Sequence, residues 1–469
     1  MQTGGFLSTR FARAGQGLTL AALLFGVSVV FPAPAWAYLD PGTGNILIYI
    51  CISILTAVLY FAKTAWYGLR NKFSATPVQR AATRSEELVL FSEGKIYWST
   101  FRPIVAALLE RGYPFRYLSM DIEDPGLAIE SPHMNSRFIG TGSAAFARAA
   151  AVRASVMLQT TANIGTPGYP MPIPRHVTCL AHVLHGVGGI SLYYKNAHDT
   201  CNVIFLMGHG DHESIRLLEK KRGLPERECV SAGVPCLDEL ARTVLPKNGM
   251  SDPPVILVAP SWGEKNCLTY CGTEFIHWLT EAGYNVIIRP HPFSQKAEQP
   301  FIAALQEEFG RDPHVRIDLD VSGGPSLAAA DLLISDKSGV RFDFAFLYQR
   351  PVLTLDIPMR NREKFEISDL EYVWEDDVER RLGPVLTPET LRSMTREAFL
   401  ESVAATLAME GKDLAALRDA TIANFGCSGA FIADWVIAKC AALAAAQAPE
   451  QTLSQIPGQA PNQAPEGGQ

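Results

Sequence analysis

Four runs of β-prone apolar residues in this chain end abruptly in polar residues that are useful in catalysis. Each run is followed directly by its polar string: Val177–Leu184 by His185-Gly186, Val255–Val258 by Ala259-Pro260-Ser261-Trp262, Val286–Ile288 by Arg289-Pro290-His291-Pro292, and Leu332–Ile334 by Ser335-Asp336-Lys337-Ser338-Gly339. Ligands of parallel α/β sheets lie beyond the carboxyl ends of the strands. The pattern therefore predicts one crevice that collects histidines, an arginine, an aspartate and serines, a set that suits a phosphorylated or nucleotide-linked substrate.

Strands alternate with helices on both sides of a linker, which predicts βαβ units and parallel sheets. The linker is the turn-rich string Pro246–Pro254. Residues 85–245 form the first predicted domain, with strands at 87–91, 115–119 and 155–159 and helices at 101–110 and 144–153. Residues 255–446 form the second, whose part from Thr387 is rich in Ala and Leu and predicted to be helical. The expected fold class is α/β, with two Rossmann-like domains facing a cleft.

The first 84 residues have the sequence pattern of membrane-targeting and membrane-spanning segments. Two arginines, an apolar run and an Ala-x-Ala site ending at Ala37 predict a signal peptide or first membrane segment over residues 1–37. A second apolar run, Ile46–Ala62, predicts an external turn plus transmembrane helix within 38–67; the alternative is a buried core helix. A basic linker, 68–84, follows it. Because cytoplasmic flanks collect Lys and Arg, we expect one or two spans of the inner or plasma membrane, with the catalytic domains in the cytoplasm.

Composition narrows the function classes further. The 469 residues are too many for one compact domain, and the net charge of −7 argues against a nucleic-acid binder. Nine scattered cysteines are an odd number, which predicts free thiols rather than a disulfide framework. Residues 447–469 are dominated by Gln, Pro and Gly, cannot bury a core, and are predicted to form a disordered tail.

His185 is the first candidate for catalysis. It follows a strand and precedes Gly186-Val187-Gly188-Gly189, where glycines let main-chain N–H groups approach a phosphate or substrate. A histidine there can act as a general base near neutral pH; the alternative is a structural histidine beside a tight turn. His182 is predicted on the opposite face of the strand, and His209 and His212 lack a third ligand at zinc spacing. No metal and no cofactor are therefore predicted.

The strings of the second domain are candidates for binding phosphate. Arg289 offers a planar fork of donors, and the prolines around it and His291 stiffen the loop; the alternative is a surface turn. Asp336 and Ser338 stand between a strand and a helix predicted to begin near Ser338 or Gly339. The free N–H groups and positive dipole end of a helix bind phosphate well. Alternatively, Asp336 and Ser338 are helix caps.

Taken together, the four strings resemble the CDP-glycerol glycerophosphotransferase family, whose members prime or extend glycerol-phosphate chains of bacterial envelope polymers such as teichoic acids. That family typically shows His-Gly-Thr, Ala-Pro-Thr-Trp, Arg-Pro-His, and Ser-Asp-Tyr-Ser-Ser followed by Phe-Asp. The counterparts here are His185-Gly186-Val187, Ala259–Trp262, Arg289–His291 and Ser335–Gly339, with Phe342-Asp343 and Arg350-Pro351-Val352 beyond. The resemblance covers roughly residues 150–360, and the order of four motifs makes it more specific than any single one.

The resemblance implies a GT-B-type fold and a phosphotransfer reaction. His185 is expected to deprotonate an acceptor hydroxyl, which attacks the β-phosphorus of CDP-glycerol and releases CMP. His291 is expected to be the second catalytic histidine. The residues expected to bind substrate are Gly186, Ser261, Arg289, Asp336, Ser338 and Gly339. The implied partners are a CDP-activated polyol donor, a lipid-linked or polymer acceptor and the membrane.

Three positions depart from the family motifs. Val187 replaces a threonine, Lys337 replaces an aromatic residue and Gly339 replaces a serine. Two hydroxyl donors are thereby lost where substrate identity would be set, so the donor can be another polyol or a sugar. Three hypotheses follow: a membrane-anchored glycerophosphotransferase-like enzyme, a GT-B glycosyltransferase or sugar-nucleotide epimerase, and a non-catalytic scaffold in envelope biosynthesis.

Overall fold

The computed structural model describes residues 88–447, apart from positions 246, 248, 264, 321, 322, 360 and 410. All of these residues fall within one compact unit, Arg80–Gln469. The predicted signal peptide, transmembrane helix and basic linker, which span residues 1–84, lie outside the described residues. So does the predicted tail after residue 447.

The first lobe is a parallel sheet flanked by helices. Its strands are β1 (Leu88–Ser92), β2 (Phe115–Ser119), β3 (Met134–Phe138), β4 (Ala154–Gln159), β5 (Val177–Val183), β6 (Val203–Leu206) and β7 (Glu228–Ser231). Its helices are α1 (Trp98–Glu110), α2 (Gly142–Ala150), α3 (His212–Arg222) and α4 (Pro235–Ala241), with 3-10 turns at Lys95–Tyr97, Pro125–Ala128 and Ile190–Leu192. The strand order is β3-β2-β1-β4-β5-β6-β7, and each neighbouring pair is parallel.

The second lobe repeats this plan with six strands. They are β8 (Val255–Ala259), β9 (Asn285–Ile288), β10 (Val315–Ile317), β11 (Leu332–Ser335), β12 (Val352–Leu355) and β13 (Val385–Leu386). Its first helices are α5 (Cys267–Cys271), α6 (Glu274–Glu281), α7 (Ser294–Ala297), α8 (Gln299–Phe309), α9 (Gly324–Ala329) and α10 (Val340–Tyr348). Two 3-10 turns, Arg362–Lys364 and Glu366–Ser368, then precede α11 (Trp374–Leu382), α12 (Pro388–Ser393), α13 (Arg396–Leu407), α14 (Gly411–Thr421) and α15 (Ser428–Gln447). The parallel order is β10-β9-β8-β11-β12-β13.

Both sheets contain the strand order of the doubly wound Rossmann fold, in which the chain reverses direction across the sheet after its first three strands. The predicted α/β class with two parallel-sheet domains is therefore confirmed. Strands β1 and β4 are buried along their whole lengths, because helices cover both faces of such a sheet. The four strands predicted before the polar strings are present as β5, β8, β9 and β11. Their polar ends consequently lie at the carboxyl edges of the two sheets.

The last helix, α15, follows the second lobe in the sequence but packs on the first. Ile432, Ala433 and Val436 are fully buried in the same apolar cluster as the residues of α1 and β1. A Cβ on Gly429 would lie 2.5 Å from Pro103, so glycine is what permits this close crossing of α15 and α1. The sequence places this segment at the helical end of the second domain, 255–446, because chain order alone says nothing about which sheet a terminal helix covers.

Residues Ser428–Ala446 of α15 also form one helix, within the described part of the chain, that is long and apolar enough to cross a membrane. In the structure one face of it is committed to the first lobe, where Ile432 and Cys440 are inaccessible to solvent. The apolar composition of this helix is therefore used, at least on that face, to complete a protein core.

The two lobes share a continuous apolar core at the base of the cleft. Val187 and Val234 from the first lobe lie in one buried cluster with Leu257, Phe342 and Trp374 from the second. This shared core brings the carboxyl edges of the two sheets close together, and it is the part of the fold that positions the candidate site.

Candidate active site

Two loops, one from each lobe, meet at the carboxyl edges of the sheets. The histidine loop, residues 184–195, follows β5, and the serine loop, residues 336–339, joins β11 to α10. A Cβ placed on Gly339 would lie 3.8 Å from the carbonyl oxygen of Val187, an ordinary van der Waals separation. Val187 is two residues beyond His185, so the strings predicted to share one crevice do approach each other across it.

His185 lies at the solvent-exposed side of the histidine loop, between two tyrosines. Its Nδ1 is 3.2 Å from the hydroxyl oxygen of Tyr193, and its ring makes an edge-to-face contact with Tyr97 at 5.3 Å between centroids. Partial desolvation by these neighbours lowers the pKa of His185 below its ordinary value, although one side of the imidazole remains open. A neutral imidazole near pH 7 is able to accept a proton.

His182 is fully buried behind the loop, as expected for the opposite face of β5. Its ring lies 4.5 Å from that of His198, centroid to centroid, and Tyr193 packs edge-to-face against both. Burial lowers the pKa of His182 well below its usual range and that of His198 to about 3, so both are neutral. Among the described residues no group of three or more His, Cys, Asp and Glu side chains could hold a metal ion.

The glycines after His185 serve packing between the lobes. A Cβ on Gly189 would overlap the indole nitrogen of Trp374, the first residue of α11, whereas a Cβ on Gly186 would meet nothing within 4 Å. The main-chain N–H of Gly189 donates to Glu375 Oε1 at 2.8 Å, as does the hydroxyl of Ser191 at 2.5 Å. Gly189 is therefore occupied by the second lobe, whereas Gly186 and Gly188 leave room for close approach to a substrate.

A pair of buried carboxyl groups secures this junction. Asp211, directly before α3, accepts a hydrogen bond from the main-chain N–H of Ile190 at 3.3 Å, beside Glu375 from α11. Burial first, and then the neighbouring charge of Glu375, raise the pKa of Asp211 to about 8, and burial raises that of Glu375. The pair therefore retains a proton near neutral pH, because two adjacent buried carboxylates repel each other.

In the serine loop the carboxylate of Asp336 is fully engaged by neighbouring backbone and hydroxyl groups. It accepts hydrogen bonds from the N–H of Ser261 at 3.1 Å, the hydroxyl of Ser261 at 3.0 Å and the N–H of Cys267 at 2.8 Å. Only 1% of Asp336 is exposed, and burial raises its pKa. Asp336 and Ser261 thereby connect the loop after β8 to the loop after β11. Their expected part in substrate binding stays a prediction.

The start of α10 retains unused donors. The main-chain N–H of Ser338 donates to Asp336 O at 2.7 Å, but those of Gly339 and Val340 have no partner among the described residues. The Ser338 hydroxyl is likewise without a hydrogen bond within the described part of the chain. Lys337 turns away from this point, toward Asp356 at 3.1 Å and Asp376 at 3.6 Å. At the start of α10 the unpaired donors among the described residues are therefore two main-chain N–H groups and one hydroxyl.

Arg289 is held inside the second lobe. Its guanidinium donates to Asp318 Oδ2 at 2.6 Å and to Asp320 O at 2.9 Å, and only 9% of the residue is exposed. Arg289 is thus paired with a carboxylate of its own lobe, as a buried guanidinium requires. Its role as a phosphate ligand stays a prediction.

His291 is half-buried on the loop after β9. Its Nδ1 accepts a hydrogen bond from the main-chain N–H of Phe293 at 3.1 Å, which leaves Nε2 as the nitrogen that can meet a ligand. Burial is the largest cause of a lowered pKa for His291, and nearby Arg289 lowers it further. Exposed Trp262 and Phe293 pack edge-to-face beside it at 5.0 Å.

Sequence reasoning missed the residues that build the surroundings of His185. Tyr193 and Tyr97 belong to no motif, and Trp374 and Glu375 lie in a charged string, Trp-Glu-Asp-Asp, that reads as solvent-exposed. The packing of Trp374 depends on two glycines, since a Cβ on Gly210, like one on Gly189, would collide with its side chain. Glycines far apart in sequence that face one large side chain can be recognised only once the lobes are placed together.

One family model matches the chain, over residues 196–359, and the family is described as CDP-glycerol:poly(glycerophosphate) glycerophosphotransferase. The match contains the strings at 259–262, 289–292 and 335–339 and begins after His185. The resemblance inferred from the motifs is therefore confirmed over this part of the chain, and the enzyme class it supports is a CDP-glycerol glycerophosphotransferase-like transferase. No curated protein matches the sequence.

Similar solved structures include the wall teichoic acid polymerase TagF soaked with CDPG, at 15% identity and a TM-score of 0.48, covering 83% of this chain and 98% of that one. A UDP-GlcNAc 2-epimerase from Methanocaldococcus jannaschii aligns at 14% identity and a TM-score of 0.49, covering 75% and 99%. MurG from Acinetobacter baumannii aligns at 11% identity and a TM-score of 0.41, covering 75% and 99%.

Proposed function

We propose that the protein is a membrane-anchored transferase that moves glycerol phosphate, or a related polyol phosphate, from a CDP-activated donor to a hydroxyl of a cell-envelope acceptor. The observation that carries this proposal is the approach of the His185 loop to the unused N-terminus of α10, with 3.8 Å between the Val187 oxygen and the Cβ position of Gly339. A neutral imidazole and the unpaired N–H donors of α10 are thereby proposed to face one space from opposite lobes. The family match over residues 196–359 supports a donor of the CDP-glycerol type.

In the proposed reaction His185 acts as general base. Its neutral imidazole takes the proton of the acceptor hydroxyl as that oxygen bonds to the β-phosphorus of the donor. The bond from this phosphorus to the bridging oxygen breaks, and CMP leaves with the electron pair. A lowered pKa keeps His185 ready to accept a proton at neutral pH. Positioning and charge stabilisation, rather than covalent help, are what phosphoryl transfer requires.

The diphosphate of the donor is proposed to bind at the start of α10. The free N–H groups of Gly339 and Val340 and the hydroxyl of Ser338 point to this place, and the helix dipole favours negative charge there. His291 Nε2 is proposed as a further donor from the loop after β9, because an Nδ1 that accepts the Phe293 N–H leaves the hydrogen of the neutral imidazole on Nε2. Arg289 and Asp336 are proposed to act indirectly, by holding these loops in place.

The membrane anchor is proposed for the apolar run at 46–62, which belongs to the part of the chain outside the described residues. A basic linker follows that run in the sequence, so both lobes are proposed to face the cytoplasm. The acceptor would then be a lipid-linked or polymeric molecule at the inner or plasma membrane. Its identity is left open by the substitutions at Val187 and Gly339.

The test is a direct assay on the full chain in detergent or vesicles, with CDP-glycerol and a lipid-linked polyol-phosphate acceptor. CMP release is expected, and His185→Ala should reduce it by about 10²-fold or more. The matched control is His314→Ala, at an exposed histidine beside the amino end of β10, which should leave turnover unchanged.

Two outcomes would redirect the proposal. Turnover of a UDP-sugar in place of CDP-glycerol would favour the glycosyltransferase or epimerase hypothesis. If no nucleotide donor raises the melting temperature and His185→Ala complements function in cells, the scaffold hypothesis takes its place.

A further inference from the structure

We propose that Tyr193 is a positioning residue for His185: its hydroxyl oxygen accepts a hydrogen bond from Nδ1–H of His185 and thereby leaves Nε2 open to the cleft. The inference rests on the proposed role of His185 as general base. Its direct observation is the 3.2 Å separation between the Tyr193 hydroxyl oxygen and His185 Nδ1. Nothing in the sequence motifs assigns a role to Tyr193.

The two nitrogens of the His185 imidazole have different roles. A neutral imidazole carries one hydrogen, so the nitrogen that accepts the substrate proton must be the one without it. Since Nδ1 faces Tyr193, the nitrogen available to a substrate is Nε2. Nε2 is a base only when Nδ1 carries the hydrogen, and the phenol oxygen is the acceptor that stabilises this tautomer.

The choice of a phenol rather than a carboxylate has a chemical consequence. Burial raises the pKa of Tyr193, so the phenol stays neutral and adds no negative charge beside the imidazole. A carboxylate in this position would favour the imidazolium and raise the pKa of the histidine. With tyrosine, the orientation is set while the pKa of His185 stays below its ordinary value.

Two sets of contacts hold Tyr193 itself. Behind it the rings of His198 and His182 make edge-to-face contacts at 4.7 and 5.8 Å between centroids. Its carbonyl oxygen accepts a hydrogen bond from the N–H of Glu366, at 2.9 Å, from the second lobe. On the far side of His185, Tyr97 closes the cradle. A hydroxyl fixed this firmly can select one orientation of the imidazole.

The next residues of the histidine loop are also fastened to the second lobe. Tyr194 stacks on Phe365 at 4.6 Å between ring centroids, and Lys195 N–H donates to Lys364 O at 2.9 Å. Asn196 N–H donates to Glu366 Oε1 at 2.9 Å. The segment that orients the base therefore belongs to a junction between the lobes, so its geometry depends on their being joined.

The titratable groups that face His185 are Tyr97, Tyr193, His182 and His198. Burial lowers the pKa of both buried histidines and raises the pKa of both tyrosines, so all four are uncharged near neutral pH. We therefore expect the acidic limb of the pH profile of kcat/KM to follow the protonation of His185 itself.

The test compares Tyr193→Phe with wild type in the full chain, by the CMP-release assay across pH. Loss of the acceptor should lower kcat about tenfold, a part of the roughly 10²- to 10⁴-fold that a general base contributes. It should also move the acidic limb to lower pH, because the imidazolium loses a hydrogen-bond partner, while KM for the donor stays unchanged. The matched control is Tyr194→Phe, whose ring stacks on Phe365 away from His185 and which should match wild type.

A second measurement does not depend on Tyr193→Phe. The ¹⁵N shifts of the His185 imidazole in the wild-type chain, assigned by comparison with His185→Ala, should show hydrogen on Nδ1 and not on Nε2. An Nε2–H tautomer would overturn the inference, as would a Tyr193→Phe enzyme with wild-type kcat and an unmoved acidic limb. If His185→Ala itself retains full turnover, it is the proposed base that fails, and the two failures are thereby distinguished.

Discussion

The histidine loop of the first lobe and the serine loop of the second contrast in how their polar groups are used. In the histidine loop His185 is open on one side, and the Tyr193 hydroxyl lies at its Nδ1. The loop around it is hydrogen-bonded to Glu375 and Glu366 of the second lobe. In the serine loop Asp336 receives all its partners from its own lobe and is almost inaccessible. The comparison teaches that polar residues at equivalent strand ends can differ widely in how far their neighbours already satisfy them.

The strongest way to test this contrast is to remove Asp336. Asp336→Ala should lower the free energy of unfolding by about 3 kcal/mol, because three donors, two from Ser261 and one from Cys267, lose a buried acceptor. Urea unfolding monitored by tryptophan fluorescence measures this. If Asp336→Ala were as stable as wild type but lost donor affinity, Asp336 would be a substrate ligand as the motif suggests.

Gly189 tests the support that the second lobe gives to the histidine loop. Gly189→Ala should cost about 1–3 kcal/mol of stability and reduce kcat, because its methyl group would overlap Trp374. Gly186→Ala is the matched control, since its Cβ meets nothing within 4 Å and its backbone does not require glycine. Equal melting temperatures for the two variants would show that the lobes are not packed as described.

The carboxyl pair of Asp211 and Glu375 predicts a pH dependence of this junction. The folded-state pKa of Asp211, about 8, is raised above its unfolded value, so the stability it contributes is complete below about pH 4 and is lost as the pH rises toward 8. The slope is at most about 1.4 kcal/mol per pH unit. Asp211→Asn should flatten the decline in melting temperature between pH 5 and 8.

The control for that measurement is Asp377→Asn on the same helix as Glu375, where the carboxylate is 57% exposed in a surface ion pair with Arg380. This variant should keep the wild-type slope. A decline that survives Asp211→Asn unchanged would place its origin elsewhere in the protein.

The smallest effect is expected for Ser338. Because its hydroxyl makes no hydrogen bond among the described residues, Ser338→Ala should change stability by less than about 0.5 kcal/mol. If that hydroxyl binds the diphosphate, KM for the donor should rise roughly five- to tenfold, the worth of one neutral hydrogen bond. An unchanged KM would leave the N–H groups of α10 as the principal phosphate donors.

Much of the fold was predictable from the chain because long buried strands have strong local patterns. β1, β2 and β4 are apolar runs bounded by turns, and their observed limits lie within a residue or two of the predicted ones. Strands β3 and β7 were not predicted, because both are edge strands with partly exposed residues, Met134–Phe138 and Glu228–Ser231, and such mixed runs do not differ from loops in composition.

The candidate site was predictable in its location and less so in its assignments. The motifs placed His185 and Ser338 correctly at the carboxyl edges of two sheets, since strand ends are marked by an abrupt change in polarity. They also singled out Arg289 and Asp336, which lie at equivalent positions and have suitable chemistry. In the structure Arg289 is paired with Asp318, and Asp336 is hydrogen-bonded to Ser261. Arg289 and Asp336 differ from His185 and Ser338 because their polar groups have hydrogen-bond partners that lie far away in the sequence.

The sequence by itself determined the α/β class, the division into two parallel-sheet lobes and the strand ends where chemistry gathers, because each depends on local periodicity and turn residues. Only the tertiary structure decided that α15 covers the first lobe, that Gly189 makes room for Trp374, and that Tyr193 stands at Nδ1 of His185. These three features join residues whose proximity results from the packing of whole elements, and no short-range pattern in the chain encodes such distances.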